Sequence, residues 1–334
     1  MILVFGIAFF GSSAWADTVD LSALQWNPDP GMRLQHVDGH MIVTCVRQTG
    51  QNSWGMYYLN NGLWHSNTGY AVSNDGMAWT NVGIVMDNTP GGPDFDDTNA
   101  VICDVVALPN GALRAYCQGT TSNGPVWPWT SRIFTADSTD GVHWSNRQVI
   151  IDVMPGTPTA GGALGAKVIQ RDGQYIMFFG SSTTDIVKAT SADGLNWNIC
   201  GVVIEHPSGG SLSDLGLDIA ETPKGDLRMF IPTWLAGETG NSIRSLTSLD
   251  DGDTWTWDPG TRLSSDAYGV NRLNSCALAD IDGTAKMFVS GGPGHPYDDV
   301  YSASAAPVPE PVSLASGAIG LAFVGAYLKR RGRK

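Results

Sequence analysis

Ser138-Thr139-Asp140-Gly141-Val142-His143-Trp144 decides the fold, because the chain writes the same phrase four times. The other copies are Ser73-Asn74-Asp75-Gly76-Met77-Ala78-Trp79, Ser191-Ala192-Asp193-Gly194-Leu195-Asn196-Trp197 and Ser248-Leu249-Asp250-Asp251-Gly252-Asp253-Thr254-Trp255. Recurrence at roughly 50 to 65 residues marks a supersecondary unit that is copied and stacked. In each copy the aspartate carboxylate can accept from backbone N–H groups of a tight turn, and the glycine supplies the positive φ that such a turn needs. The tryptophan is a large apolar lid with one polar handle. Strand-like runs flank the third copy, Asp185-Ile186-Val187-Lys188-Ala189-Thr190 before it and Ile199-Cys200-Gly201-Val202-Val203-Ile204 after it. Each phrase therefore reads as a hairpin turn, and Asp75, Trp79, Asp140, Trp144, Asp193, Trp197, Asp250 and Trp255 read as structural residues.

A second periodic signal lies between these turns. Val37-Asp38-Gly39, Pro109-Asn110-Gly111, Arg171-Asp172-Gly173, Lys224-Gly225-Asp226 and Asp282-Gly283 each precede a strand-like run such as Gln174-Tyr175-Ile176-Met177-Phe178-Phe179. Two hairpins make a four-stranded sheet, and radial repetition of such sheets makes an all-β propeller. The count favours five four-stranded blades, with six or seven as alternatives. The last blade lacks its outer hairpin, and the segment Val19 to Trp26 is expected to complete it and close the ring.

Both ends read as addresses. Residues 1–16 combine the apolar run Met1 to Phe10 with Ala14-Trp15-Ala16, a small-x-small cleavage site, although no basic residue precedes the run. At the other end, residues 307–334 hold Pro309-Glu310-Pro311, the apolar run Val312 to Leu328 and the cluster Lys329-Arg330-Arg331-Gly332-Arg333-Lys334. About 17 apolar residues stand at the lower limit for a transmembrane helix, and the basic cluster should stay cytoplasmic. This segment resembles the PEP-CTERM sorting signal of Gram-negative bacteria. The resemblance implies recognition and removal by an exosortase, transient anchoring in the inner membrane, and a final place at the cell surface or in the extracellular matrix. An ordinary C-terminal membrane anchor is the alternative. The propeller would then be residues 17–306.

Removing the five basic residues of the tail together with Glu310 leaves 14 basic and 31 acidic side chains, a net charge of about −17. Such a body should not bind nucleic acid through its phosphates. Cys103 and Cys117 are equidistant from Asn110, which would set them across the hairpin; a cross-strand disulfide and buried free thiols are both open readings. No Cys/His spacing suggests zinc. No cofactor is required by any motif, and metal binding is undecided. The loop Asp94-Phe95-Asp96-Asp97 is a candidate for Ca²⁺ through oxygen ligands, or is simply solvated.

The innermost strand of each blade lines the axis, so polar residues there are the candidates for chemistry. Asp104 lies seven residues before Gly111 and Asp218 seven before Gly225, while Asp29 lies ten before Gly39. Carboxylates from three blades are thus expected to converge. The hairpins, the Asp29-Pro30 opening and the Cys103-Asp104-Val105 entry resemble the five-bladed glycosidases of the arabinanase and β-xylosidase type. That resemblance implies catalysis by Asp29, Asp104 and Asp218, with Asp218 or Glu221 taking the acid position that those enzymes fill with glutamate. One carboxyl would protonate the leaving oxygen while another activates water or attacks carbon. Asp97, Asp214, Glu221, Asn271, Arg272, Trp127 and Trp234 are candidate substrate contacts.

The serine–aspartate phrases themselves resemble the Asp-boxes of sialidases, and Ser248 to Trp255 meets their spacing. A sialidase reading would need an arginine clamp drawn from Arg33, Arg47, Arg244, Arg262 and Arg272. The expected function is the handling of extracellular carbohydrate. Three readings stay open: a glycoside hydrolase using axial carboxylates, a non-catalytic glycan- or protein-binding propeller, and a sialidase-like exo-glycosidase. An axial pocket with paired carboxylates about 5 to 10 Å apart favours hydrolysis, and a plugged axis favours binding.

Overall fold

The computed structural model describes residues 19–36, 39–61, 66–89, 95–121, 130–181, 185–213, 216–294 and 297–306. The leader, the Pro309-Glu310-Pro311 segment with its apolar run, and the candidates Asp94, Trp127 and Asp214 lie outside these residues.

Apart from short 3₁₀ turns such as Ser265–Tyr268, the regular elements among the described residues are strands. The chain begins with β1 (Trp26–Pro28), whose partner comes last. A first antiparallel meander follows in β2 (His40–Gly50), β3 (Ser53–Asn61), β4 (Ser66–Ser73) and β5 (Thr80–Met86). The second runs through β6 (Asn99–Ala107), β7 (Leu113–Thr121), β8 (Thr130–Ser138) and β9 (Ser145–Ile151). The third is β10 (Ala163–Arg171), β11 (Gln174–Ser181), β12 (Ile186–Ser191) and β13 (Asn198–Ile204). In the fourth the inner strand comes in two pieces, β14 (Ser211–Leu212) and β15 (Asp218–Glu221). Both pair with β16 (Leu227–Trp234), and β17 (Ser242–Ser248) and β18 (Thr256–Trp257) follow. The last is β19 (Arg272–Ile281), β20 (Thr284–Gly294) and β21 (Tyr297–Ala305), on which β1 lies antiparallel as the fourth strand. The N-terminal segment therefore joins the last blade through Trp26–Pro28. The fold is a β-propeller.

The four serine–aspartate phrases stand between the third and fourth strands of their blades. The serine Oγ accepts the glycine N–H at 2.8–2.9 Å in every copy. Asp75, Asp140 and Asp193 each accept two further backbone N–H groups at 2.8 Å, and Asp250 accepts from Thr254 N and Oγ1. These bonds favour the ionised carboxylate and hold all four below the ordinary aspartate range.

Each tryptophan then reaches out of its own blade. Trp144 meets Tyr57, Trp197 meets Tyr116, Trp255 meets Phe178 and Trp79 meets Phe288, edge to face, with ring centroids 5.5–6.1 Å apart. The partner always lies on the second strand of the preceding blade, blade five preceding blade one. Trp26 of β1 supplies the fifth pair, on Phe230 of blade four at 5.9 Å. Such pairs add about 0.5–1.5 kcal/mol each beyond the area they bury. The same contact explains a glycine: a Cβ on Gly252 would collide with the Phe178 ring. Five apolar clusters, one per seam between neighbouring blades, form the bulk of the core.

One expectation is corrected and one open alternative is resolved. The inner hairpin of blade one turns after Gly50 at Gln51-Asn52, not ahead of His40 where the inner strand begins, with Asn52 taking the left-handed conformation at φ 52°; Val37-Asp38 lie outside the described residues. Of the two readings of Cys103 and Cys117, the structure has the buried free thiols. The turn is indeed centred on Asn110, but a bulge at Cys103 shifts the register, so Cys117 faces Ile102.

Candidate functional site

Strand pairing defines one equivalent position on all five inner strands. Cys45 faces Tyr57, Asp104 faces Tyr116, Lys167 faces Phe178, Asp218 faces Phe230 and Ala277 faces Phe288. These partners are the aromatics that receive the five tryptophans. In blades one, two and three a register shift ends immediately at this position. Such shifts increase local twist and re-aim side chains next to sites. The axial ring is thus Cys, Asp, Lys, Asp, Ala.

Both carboxylates of the ring reach forward to the next blade. Asp104 Oδ2 accepts Val168 N at 2.8 Å, and Asp218 Oδ2 accepts Leu278 N at 2.7 Å. Their second oxygens accept Val105 N and Ile219 N, each at 2.8 Å. Inner strands expose N–H groups toward the axis, and each carboxylate satisfies one that would otherwise be orphaned. Lys167 crosses the ring: its Nζ donates to the Thr44 carbonyl at 2.5 Å and stands 3.6 Å from Asp218 Oδ1. Its side chain is only 5% exposed, and that of Asp218 17%. Burial by itself would lower the lysine, but Asp218 and Asp104 outweigh it and raise the ammonium above its ordinary value. Burial raises Asp218 against the opposing pull of Lys167. It also pushes the Cys45 thiol up to about 12, so this sulfur is no nucleophile at neutral pH.

Toward the hairpin-turn end of the inner strands the ring borders a cavity of about 280 Å³. Arg47, Asp104, Lys167 and Asp218 supply its polar wall, and Leu21, Ile219 and Ala279 are among its apolar lining.

At the opposite end, where inner strands begin, a second cluster gathers across the seam of blades five and one. Asp298, fully buried, accepts through Oδ2 from Asn274 Nδ2 at 2.8 Å, pairs with His40 Nδ1 at 2.5 Å and lies 3.5 Å from Arg272 Nη2. Arg272 is partly exposed there.

The expected site residues are not all brought together. Asp104 and Asp218 share the ring. Asp29 does not join them, because it follows the outermost strand β1. It binds Lys286 Nζ at 2.9 Å and the hydroxyls of Ser302 and Ser304 at 2.6 Å. Despite its burial these partners lower its carboxyl, which pins the closing strand to blade five. Glu221 is exposed at the turn end of β15, away from the end where Arg272 and Asn271 stand. Asp97 precedes β6, and its Oδ1 accepts from the Thr98 hydroxyl at 3.1 Å. Asn271 N donates to Gly292 O, and Trp234 Nε1 donates to Glu238 O at 2.9 Å. Asp96 is turned into an ion pair with Arg147. Among the described residues no group of three His, Cys, Asp or Glu is placed to hold a metal.

The five arginines do not form a clamp. Arg33 binds the carbonyls of Pro30, Gly31 and Met77, Arg244 pairs with Glu238, and Arg262 binds Leu24 O and Pro259 O. Arg47 lines the cavity, and Arg272 stands at the strand-start end.

Lys167 escaped notice because it sits in the apolar run Leu164 to Ile169, although its offset from Gly173 is within one residue of that of Asp104 from Gly111. His40 and Asp298 are 258 residues apart, and no local pattern links them.

The sequence matches no family model and no curated protein. Among solved structures it is similar to a glycoside hydrolase at 14% identity, over 85% of this protein and 93% of that one, with a TM-score of 0.67. It is also similar to a thermostable family-43 glycoside hydrolase (13%, 84% and 99%, TM-score 0.59). Sucrose-6-phosphate hydrolase from Lactobacillus gasseri is a third likeness (12%, 80% and 60%, TM-score 0.59). Identities this low speak to architecture and not to reaction. The chain is a β-propeller, the fold it shares with these glycoside hydrolases.

Proposed function

We propose that this chain is an exported propeller that binds extracellular carbohydrate at the strand-start end of its axis, without using the axial carboxylates for hydrolysis. One observation carries the reading: Asp104 and Asp218 already spend their oxygens on backbone N–H groups, and Lys167 braces the space between them. A hydrolytic pair needs one carboxyl free to give a proton and another free to activate water or attack carbon. Neither acid of the ring is placed for that, and Asp29 serves the closing strand.

Arg272, steadied by buried Asp298, is the leading contact for a sugar at this end, with Asn271, Asp97 and Trp234 as further candidates. Arginine offers a planar fork of donors to hydroxyls or carboxylates, and an indole face stacks on a sugar ring. Export rests on the leader and on the Pro309-Glu310-Pro311 segment, with exosortase as the processing partner and the cell surface or matrix of a Gram-negative bacterium as the destination.

Affinity electrophoresis of the full chain through gels containing acidic and neutral polysaccharides tests the reading. At least one polysaccharide should retard the wild type, and Arg272→Ala should restore mobility while leaving thermal stability near wild type. Equal retardation of both proteins would remove Arg272 from the site.

A further inference from the structure

We propose that the cavity at the hairpin-turn end is a second ligand site, built for one small carboxylate held by Arg47. It is separate from the carbohydrate-binding end and does not depend on it.

Arg47 lines this cavity, and its Nη1 is shielded from solvent with no hydrogen-bond partner among the described residues. Leaving a buried donor unmade is costly, the more so for a charged group. The omission is notable in a chain with 32 acidic and only 19 basic side chains, where an arginine has ample choice of carboxylates. The neighbouring charges are already engaged. Asp104 and Asp218 accept backbone N–H groups, and Lys167 donates to Thr44 O. The group missing from the wall is therefore an acceptor.

A guanidinium presents two parallel N–H donors, and a carboxylate is the anion that matches them in a plane. The size narrows the ligand further. About 280 Å³ lies just under the range of ordinary small-molecule pockets, which begins near about 300 Å³. One acid about the size of a monosaccharide fits. Leu21, Ile219 and Ala279 offer an apolar side for the rest of the molecule.

The probes are acetate and D-glucuronate, with D-glucose as the uncharged control, titrated calorimetrically into the full chain. At least one acid should bind in the millimolar range or tighter, and D-glucose should not. Arg47→Gln should weaken acid binding about tenfold or more, as expected for the loss of charge-assisted bonds. Retardation by polysaccharide should stay unchanged in the same variant, which separates this site from the one containing Arg272. Should Arg47→Gln fail to fold, Leu21→Trp fills the cavity from its apolar side and must abolish acid binding. Binding of neither acid, equal binding of D-glucose, or undiminished acid binding in the variant that folds would overturn the proposal.

Discussion

Lys167 of blade three and Asp218 of blade four face each other across 3.6 Å in a ring whose five members are equivalent by strand register. The lysine also reaches Thr44 of blade one, so one side chain ties three blades at the axis. Removing one partner of a buried pair leaves an uncompensated charge, whereas removing both costs far less. Lys167→Met alone should lose about 3 kcal/mol, and adding Asp218→Asn should cost less than the sum of the single losses by about 1 kcal/mol or more. Urea unfolding of the two single variants and the double variant measures the coupling. Strict additivity would show that the pair does not hold the ring.

Gly252 takes φ +85° and faces the Phe178 ring, whereas Gly173 takes φ +76° with nothing near its missing Cβ. Both strain an alanine through the backbone, but only the first also collides with a neighbouring blade. Gly252→Ala should lower the thermal midpoint more than Gly173→Ala, by at least about 1 kcal/mol when converted to stability. Equal losses would mean that the seam contact carries no weight.

The turn aspartates make stability sensitive to acid in a definite direction. Their folded-state carboxyls lie below the ordinary value of 3.8, with Asp250 at about 2. The unfolded chain therefore takes up these protons first as the pH falls. Their contribution is complete well above the ordinary aspartate value and drains away as the pH drops toward the folded values. Asp218, raised by burial, works in the opposite sense. Thermal midpoints measured between about pH 5 and about pH 2 should fall more steeply for wild type than for Asp193→Asn, which has already lost one turn carboxylate. Parallel slopes would contradict the turn account.

What the sequence made legible follows the range of each interaction. The serine, aspartate, glycine and tryptophan of a turn lie within eight residues, so four turns and their register could be read directly. Equal offsets from Gly111 and Gly225 likewise brought Asp104 and Asp218 to equivalent positions. The turn of blade one, Gln51-Asn52, contains no glycine, while Val37-Asp38-Gly39 carries the Asp-Gly pair that marks turns elsewhere in the sequence. Placing the turn there carries Asp29 into the candidate site, although it directly follows the outermost strand. Lys167 was hidden among apolar neighbours, and the His40 and Asp298 contact exists only because the last blade closes on the first. Long-range closure leaves no local trace.

The central claim is that the axial carboxylates are structural and that the carbohydrate site lies at the other end of the inner strands. Release of reducing sugar from polysaccharides and aryl-glycosides by wild type, Asp104→Asn and Asp218→Asn tests it most directly. The account predicts no release dependent on either residue, with polysaccharide retardation retained in both variants wherever they fold. Hydrolysis by the wild type that disappears in Asp104→Asn or Asp218→Asn, with the variant still folded, would contradict it.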